Sequence, residues 1–462
     1  MSMQTALAQQ GARAIVRRGL TNSAISLVLL WLIYGLDSIS RQMIYMVLPA
    51  ITTEFNLTPS SSGLMTTLVT LSTAAICVPV MVWADKGGHG WRRKYRHLPI
   101  VIGYTLFTFL TGFNVLTASL AMLVLMQVLS HAIGGAGEAI EVASAGEWWS
   151  KQRRGMALGI HHTGYPWGTL VGGFAVAAVL AAYGPENWRV AFLYFPIPVV
   201  IVFTIYWWFA NKRRYDTVVE SVEAVGHTKP LEAEAVDADS IKPAQAVRNP
   251  NIGVIALVAM MSIVGYFGLS FWLPQYLAFV AHYNYAEVAA YSVLFTITGG
   301  IGQIVWGAIS DRIGRKLSLM IVLGWIAVGI VLFQFADTSL GAVIGIQLFV
   351  GFALNAPYTL VYAIAFDSAG KGSTGVASSI INVGIYLGGF SPYLVGALIA
   401  LGGGFSSPTG YNIALYFLAG LMLVALIVTA LFTRETVGRF QSRDRALVSL
   451  RSCNLDQPTG GA

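Results

Sequence analysis

Two apolar stretches carry the residue types that could do chemistry. Residues 32–50 read LIYGLDSISRQMIYMVLPA, with Asp37 and Arg41 one helical turn apart in a segment otherwise fit for lipid. A charge near the centre of a bilayer costs roughly 2.5–3.5 kcal/mol on insertion scales, so each is expected to be compensated or used. Tyr34, Asp37, Arg41 and Tyr45 fall at offsets 0, +3, +7 and +11, which align on one helical face. The guanidinium of Arg41 can hold a carboxylate or phosphate bidentately. The plainer reading is an internal ion pair that fixes packing. Residues 129–150 read LSHAIGGAGEAIEVASAGEWWS, where His131, Gly134, Glu138 and Glu141 again share a face. A carboxyl buried in that setting can bind and release a proton at working pH, which makes Asp37, Glu138 and Glu141 candidate proton-coupling residues. Glu147, farther along, is expected to pair structurally with Arg153 or Arg154.

The elements that must position these residues can be read from composition. The chain has 462 residues, 56% hydrophobic and only 11% charged, with mean hydropathy +0.66. A soluble domain carries about a quarter charged residues. Apolar runs long enough to span a bilayer recur throughout. Twelve spans are expected, near 24–50, 61–84, 98–116, 119–147, 155–182, 190–209, 252–280, 286–309, 317–336, 339–367, 374–401 and 411–432. They divide the chain into a six-helix bundle (1–210), a charged, Ala- and Pro-rich linker (211–250), a second six-helix bundle (251–440) and a tail (441–462). The expected fold is thus an all-α membrane protein of two pseudo-symmetric bundles.

Of the 28 Lys and Arg, only Arg41 and Arg189 lie outside one alternating set of loops, the linker and the tails. That asymmetry places both termini in the cytoplasm of an inner or plasma membrane. The net charge of +7 therefore reflects topology, and nucleic acid is excluded as a partner. Cys77 and Cys453 offer neither a disulfide framework nor a thiol metal site. No small-residue cleavage site comes after the first apolar run, so it is expected to be retained as a span. With no nucleotide loop, nucleophile elbow or metal cluster, an enzyme is not expected and no cofactor is implied.

A short motif repeats. Residues 307–316 read GAISDRIGRK and residues 82–94 read VWADKGGHGWRRK, each in the loop after the second span of its half. Repetition of this kind marks transporters built from two related bundles. The charged members Asp85, Asp311, Arg312 and Arg315 are expected to form a cytoplasmic gate; the alternative is a solvated basic turn. GAISDRIGRK resembles the loop signature of the major facilitator superfamily, and the resemblance covers the whole chain. In the first copy His89 stands where an Arg is usual.

The stretch HAIGGAGEAIEVASAGEWWSKQRRGMALGIHHTGYPWG resembles the fourth and fifth spans of the anion:cation symporter branch of that superfamily. Glu138 and Ala139 match its Glu-Ala pair, and Arg154, Gly159, Gly164 and Gly168 match its basic turn and Gly-rich fifth span. The resemblance implies proton-driven uptake of organic anions such as sugar acids, with Arg41, eight residues before Pro49, matching the Arg that binds the substrate carboxylate. Two positions depart from the branch. Ser40 stands where Asp precedes that Arg, and His131 replaces the Arg of the fourth span; a histidine there would carry charge only when protonated.

His161 and Tyr165, one turn apart in span five, are further candidate substrate contacts with Tyr45 and His131. A metal site at His161 and His162 is rejected for want of a third ligand at suitable spacing. The glycines of 168–173 resemble an antiporter motif whose proline is here Thr169; close helix packing accounts for them. In the second half Tyr358 and Asn382 are the favoured polar pair, with Tyr266, Ser270, Gln275, Asn355, Tyr362, Tyr386 and Tyr393 as lesser ones. Asn and Tyr can bond substrate hydroxyls, or equally bond between helices. No Lys, Arg, Asp or Glu lies in the middle of spans seven to twelve. The leading expectation is a monomeric secondary transporter coupling protons to uptake of a small carboxylate across the bilayer. The alternatives are proton-driven export of an amphipathic compound and a non-transporting nutrient sensor.

Overall fold

The computed structural model describes residues 3–76, 79–80, 83–84, 88–227, 248–369 and 374–437, and those residues form helices joined by short loops. Helices satisfy every backbone donor and acceptor within the segment, which a lipid environment demands. The first half comprises α1 (Met3–Met46), α2 (Leu48–Glu54), α3 (Pro59–Ala75), α4 (Lys94–Thr111), α5 (Leu120–Glu147), α6 (Lys151–His162), α7 (Gly164–Tyr183), α8 (Val190–Tyr194) and α9 (Pro196–Phe209). The remainder comprises α10 (Lys212–Ala224), α11 (Pro250–Phe279), α12 (Tyr285–Tyr291), α13 (Phe295–Ile313), α14 (Arg315–Leu332), α15 (Leu340–Leu354), α16 (Ala356–Ser368), α17 (Thr374–Leu387), α18 (Ser391–Leu401) and α19 (Pro408–Phe432).

Among the described residues ten helical segments are long and apolar enough to cross a membrane. Of the other two expected spans, 61–84 runs into undescribed residues and 98–116 corresponds to the 18-residue α4. Several spans are broken rather than continuous. The interruptions fall at Val47, ahead of Pro49, at Thr163, ahead of Pro166, and at Asn355, ahead of Pro357. Proline removes a ladder donor and tends to end the helix before it. Helix starts are set by side-chain caps: Ser119 accepts from the Met122 amide to open α5, and Asn284 and Glu287 form a capping box at α12. The first third of the expected linker departs from the sequence pattern. It is the helix α10, opened by Asn211 and packed along the N-terminal part of α1, where Gly19 leaves room for Ser221.

The helices gather into two compact units. The first contains the described residues of Met1–Asp239, Ser270–Ile297 and Gly389–Ile413; the second contains those of Ser240–Leu269, Thr298–Gly388 and Ala414–Ala462. Within the first unit α1 packs on α7 by close backbone approach. A Cβ on Gly168 would land on the Gly35 carbonyl and the Ser38 hydroxyl. The short helices α12 and α18 and the end of α11 pack against α7, α3 and α2 of the same unit. In the second unit α14 packs against α15 and α16, with the Trp325 indole donating to the Phe349 carbonyl at 2.9 Å.

Candidate functional site

The charged residues of α1 and α5 meet because glycine lets the two helices approach. A Cβ on Gly134 would sit 3.2 Å from Asp37 Oδ1, so this carboxylate lies directly against the α5 backbone. Asp37 is 1% exposed, and its Oδ2 is 2.7 Å from Arg41 Nη2. The other terminal nitrogen, Nη1, donates to Glu138 Oε2 at 2.9 Å. Tyr34 donates its hydroxyl to Glu138 Oε1 at 3.0 Å. The Tyr165 ring lies 5.3 Å from the guanidinium carbon, and the Tyr165 hydroxyl accepts from Gln42 Nε2 at 2.6 Å. One guanidinium is thus shared by two carboxylates from different helices. The two are not equivalent: Glu138 keeps 26% of its side-chain surface accessible, whereas Asp37 is sealed.

Protonation chemistry at this cluster would act on the hold that Glu138 has on Arg41. Arg41 offers five N–H donors, and the fork facing Glu138 is the part a ligand carboxylate would use. While Glu138 is ionised it occupies that fork. A proton on Glu138 removes its negative charge and weakens its hold on the guanidinium.

The remaining candidates divide. His161 lies beside this cluster, fully buried and stacked on Tyr34 at 4.7 Å, and its two ring nitrogens have no hydrogen-bond partner among the described residues. His131 instead faces backbone: its ring nitrogens lie 2.9 Å from the Gln127 carbonyl and 3.0 Å from the Arg41 carbonyl. Tyr45 is packed, its ring stacked on Phe271 at 3.8 Å and its hydroxyl paired with Thr70 at 2.9 Å. Glu141 does not join Arg41. It turns to α4, where His97 Nε2 lies 3.2 Å from its Oε1, both side chains fully buried. His97 carries no signal in its own stretch of sequence, because its partner is 44 residues away.

Two matching corners stand at the loops that carry the repeated motif. In the first, Glu147 accepts from Arg93 at 2.7 Å and from the Gly90 amide at 2.6 Å, with His89 at 3.1 Å. The motif loop thus supplies Glu147 with a cation other than the expected Arg153 or Arg154; the side chain of Arg154 lies outside the described residues. Asp85 lies outside the described residues. In the second corner Arg315 bridges Asp311 at 2.8 Å and Asp367 at 3.2 Å, while Glu435 accepts from the Arg315 amide at 2.8 Å. Arg312 is exposed. In the second unit Tyr362 donates to Asn382 and packs edge-on to Tyr358 at 5.1 Å, so Tyr358 and Asn382 are joined through Tyr362.

Known proteins resemble this chain along most of its length. The sequence model of the family described as Major Facilitator Superfamily matches residues 30–391 and 286–452. The glucose-6-phosphate exchanger SLC37A2 of Danio rerio is 25% identical over 372 residues, covering 72% of each chain. A protein of Cupriavidus pinatubonensis named "Probable 4-methylmuconolactone transporter" is 30% identical over 330 residues, covering 69% of this chain and 70% of its own. The crystal structure of a bacterial homologue of the human lysosomal transporter Spinster superposes with a TM-score of 0.65 at 19% identity, over 95% of this chain and 99% of that one.

Proposed function

Because the chain belongs to the major facilitator superfamily and is a multi-pass secondary transporter, not an enzyme, we propose that it couples protons to the uptake of a small organic carboxylate. The observation that carries this reading is the sharing of Arg41 between Asp37 at 2.7 Å and Glu138 at 2.9 Å. Asp37 is the permanent counter-ion that makes a buried guanidinium tolerable. Glu138, part-exposed, is the exchangeable one. Protonation of Glu138 frees one edge of Arg41, and the substrate carboxylate takes the place of the Glu138 carboxylate. Proton and anion then favour each other's binding, which is thermodynamic coupling without a covalent step.

The charge count supports a singly charged carboxylate over a phosphate dianion. The spans hold one permanently charged cation at the cluster, and the middle of spans seven to twelve adds none. The relative named for glucose-6-phosphate and the one named for 4-methylmuconolactone bracket the two chemistries. Tyr34, Tyr165 and His161 surround the guanidinium and are assigned to the carbon skeleton of the substrate. The corners at Arg93 and Arg315 are assigned to gating on the cytoplasmic side of an inner or plasma membrane, where both termini lie. A thermal-stability screen of purified protein against sugar acids, mono- and dicarboxylates, phosphates and neutral sugars tests the class. Stabilisation by a monocarboxylate that vanishes in Arg41→Ala is expected; stabilisation only by phosphates or neutral sugars overturns it.

A further inference from the structure

We propose that His97 and Glu141 form a second, separate proton-binding site within the first unit, holding one exchangeable proton between Glu141 Oε1 and His97 Nε2. The pair is fully buried, with 3.2 Å between those atoms. Glu141 Oε2 and His97 Nδ1 have no hydrogen-bond partner among the described residues. That pattern decides where the proton sits. An ionised pair would bury a carboxylate with one oxygen unsatisfied against an imidazolium with one N–H unsatisfied, and desolvation of both charges would go uncompensated. With the proton on Glu141, donated to Nε2, both residues are neutral and the one strong hydrogen bond is kept.

Among the described residues the pair has no counter-charge of its own to draw on. Groups in electrostatic reach are Asp37 and Arg41 of α1, Tyr104 of α4, Glu138 of α5, His161 of α6 and Tyr206 of α9. The sole permanent cation among them, Arg41, is already bonded to two carboxylates. Loss of the proton therefore leaves an uncompensated negative charge in a buried site. This makes the proton's presence sensitive to the charge of the Arg41 cluster one turn away on α5. A net negative charge added at the Arg41 cluster would tighten the hold on this proton, and its loss would loosen it.

Position gives the site a direction. Glu141 lies one turn beyond Glu138 toward the Glu147 end of α5, and His97 lies one turn from Arg93 on α4. From Glu141 to Glu147 is six residues, about 9 Å of helix. The pair stands between the central cluster and the Arg93–Glu147 corner, where a proton leaving Glu138 for that side would pass. This role as relay rests on the symport reading; the existence of the site does not.

The test counts protons without substrate or gradient. Purified full-length protein in lipid vesicles is titrated between about pH 5 and pH 9, the range that spans ordinary histidines and burial-perturbed carboxyls. Proton release and the infrared carboxylic C=O band are recorded together. Glu141→Gln should release one proton fewer than the wild type and lose one carboxylic band. His97→Asn should shift the frequency of that band, because the imidazole acceptor is replaced by a shorter amide. Equal proton counts in wild type and a folded Glu141→Gln overturn the proposal. If that variant does not fold, the wild-type spectrum decides: a carboxylic band that disappears as pH rises and moves in folded His97→Asn supports the site, and its absence throughout contradicts it. Failure of symport alone would instead leave the count intact and appear in transport by Glu138→Gln.

Discussion

The two units share a design at their motif loops and part company inside the membrane. Each has an arginine from the motif loop reaching an acid at the end of a helix, Arg93 to Glu147 and Arg315 to Asp367. Between its loops the first unit holds the charged or ionisable Asp37, Arg41, Glu138 and Glu141, whereas the polar groups of the second at Tyr358, Tyr362 and Asn382 are neutral. What both halves repeat is scaffold and an ion-paired corner at the motif loop. What only one half carries is the charge chemistry, and the substrate's charge is assigned to that half alone.

The largest effect that could break this division is expected from Arg41→Ala. It should abolish stabilisation by carboxylates and, by stranding Asp37 and Glu138, lower stability by about 3–5 kcal/mol. Thermal melts with and without ligand read both. A carboxylate that still stabilises the variant would move charge recognition elsewhere. Next, Glu138→Gln should lose proton-driven accumulation in proteoliposomes while retaining substrate counterflow; loss of both together would make Glu138 structural.

The corners sharpen the comparison at smaller scale. Arg93 and Glu147 are 4% and 3% exposed at their side chains, Arg315 and Asp367 16% and 29%. Glu147→Gln should therefore cost about 3 kcal/mol, as for a broken buried pair. Asp367→Asn should cost under about 1 kcal/mol, as for a partly exposed one. Equal losses in chemical denaturation would show that burial does not distinguish the corners.

Much of the central cluster is legible in the sequence, because helical periodicity and the cost of burying charge act locally. Tyr34, Asp37 and Arg41 share one face by spacing, and the structure brings all three to Glu138 or to one another. The same reasoning groups Glu141 with Glu138, yet these side chains part, one to Arg41 and one to His97. Periodicity fixes a face to within a turn; it does not say which neighbouring helix meets it. His97, the Arg93 partner of Glu147 and the packing of α10 on α1 are contacts between distant segments, and no local pattern announces them. Tyr45 shows the converse. Its register suits the charged face, but Phe271, far along the chain, covers its ring.

The central claim is that a proton on Glu138 opens Arg41 to a carboxylate, and affinity measured against pH addresses it most directly. With the carboxylate identified by the stability screen, wild-type affinity should fall as pH rises, approaching tenfold per unit for a single linked proton, about 1.4 kcal/mol. Glu138→Gln, already neutral, should bind tightly at every pH. A wild-type affinity that does not change with pH, or a Glu138→Gln curve that tracks the wild type, would contradict the account.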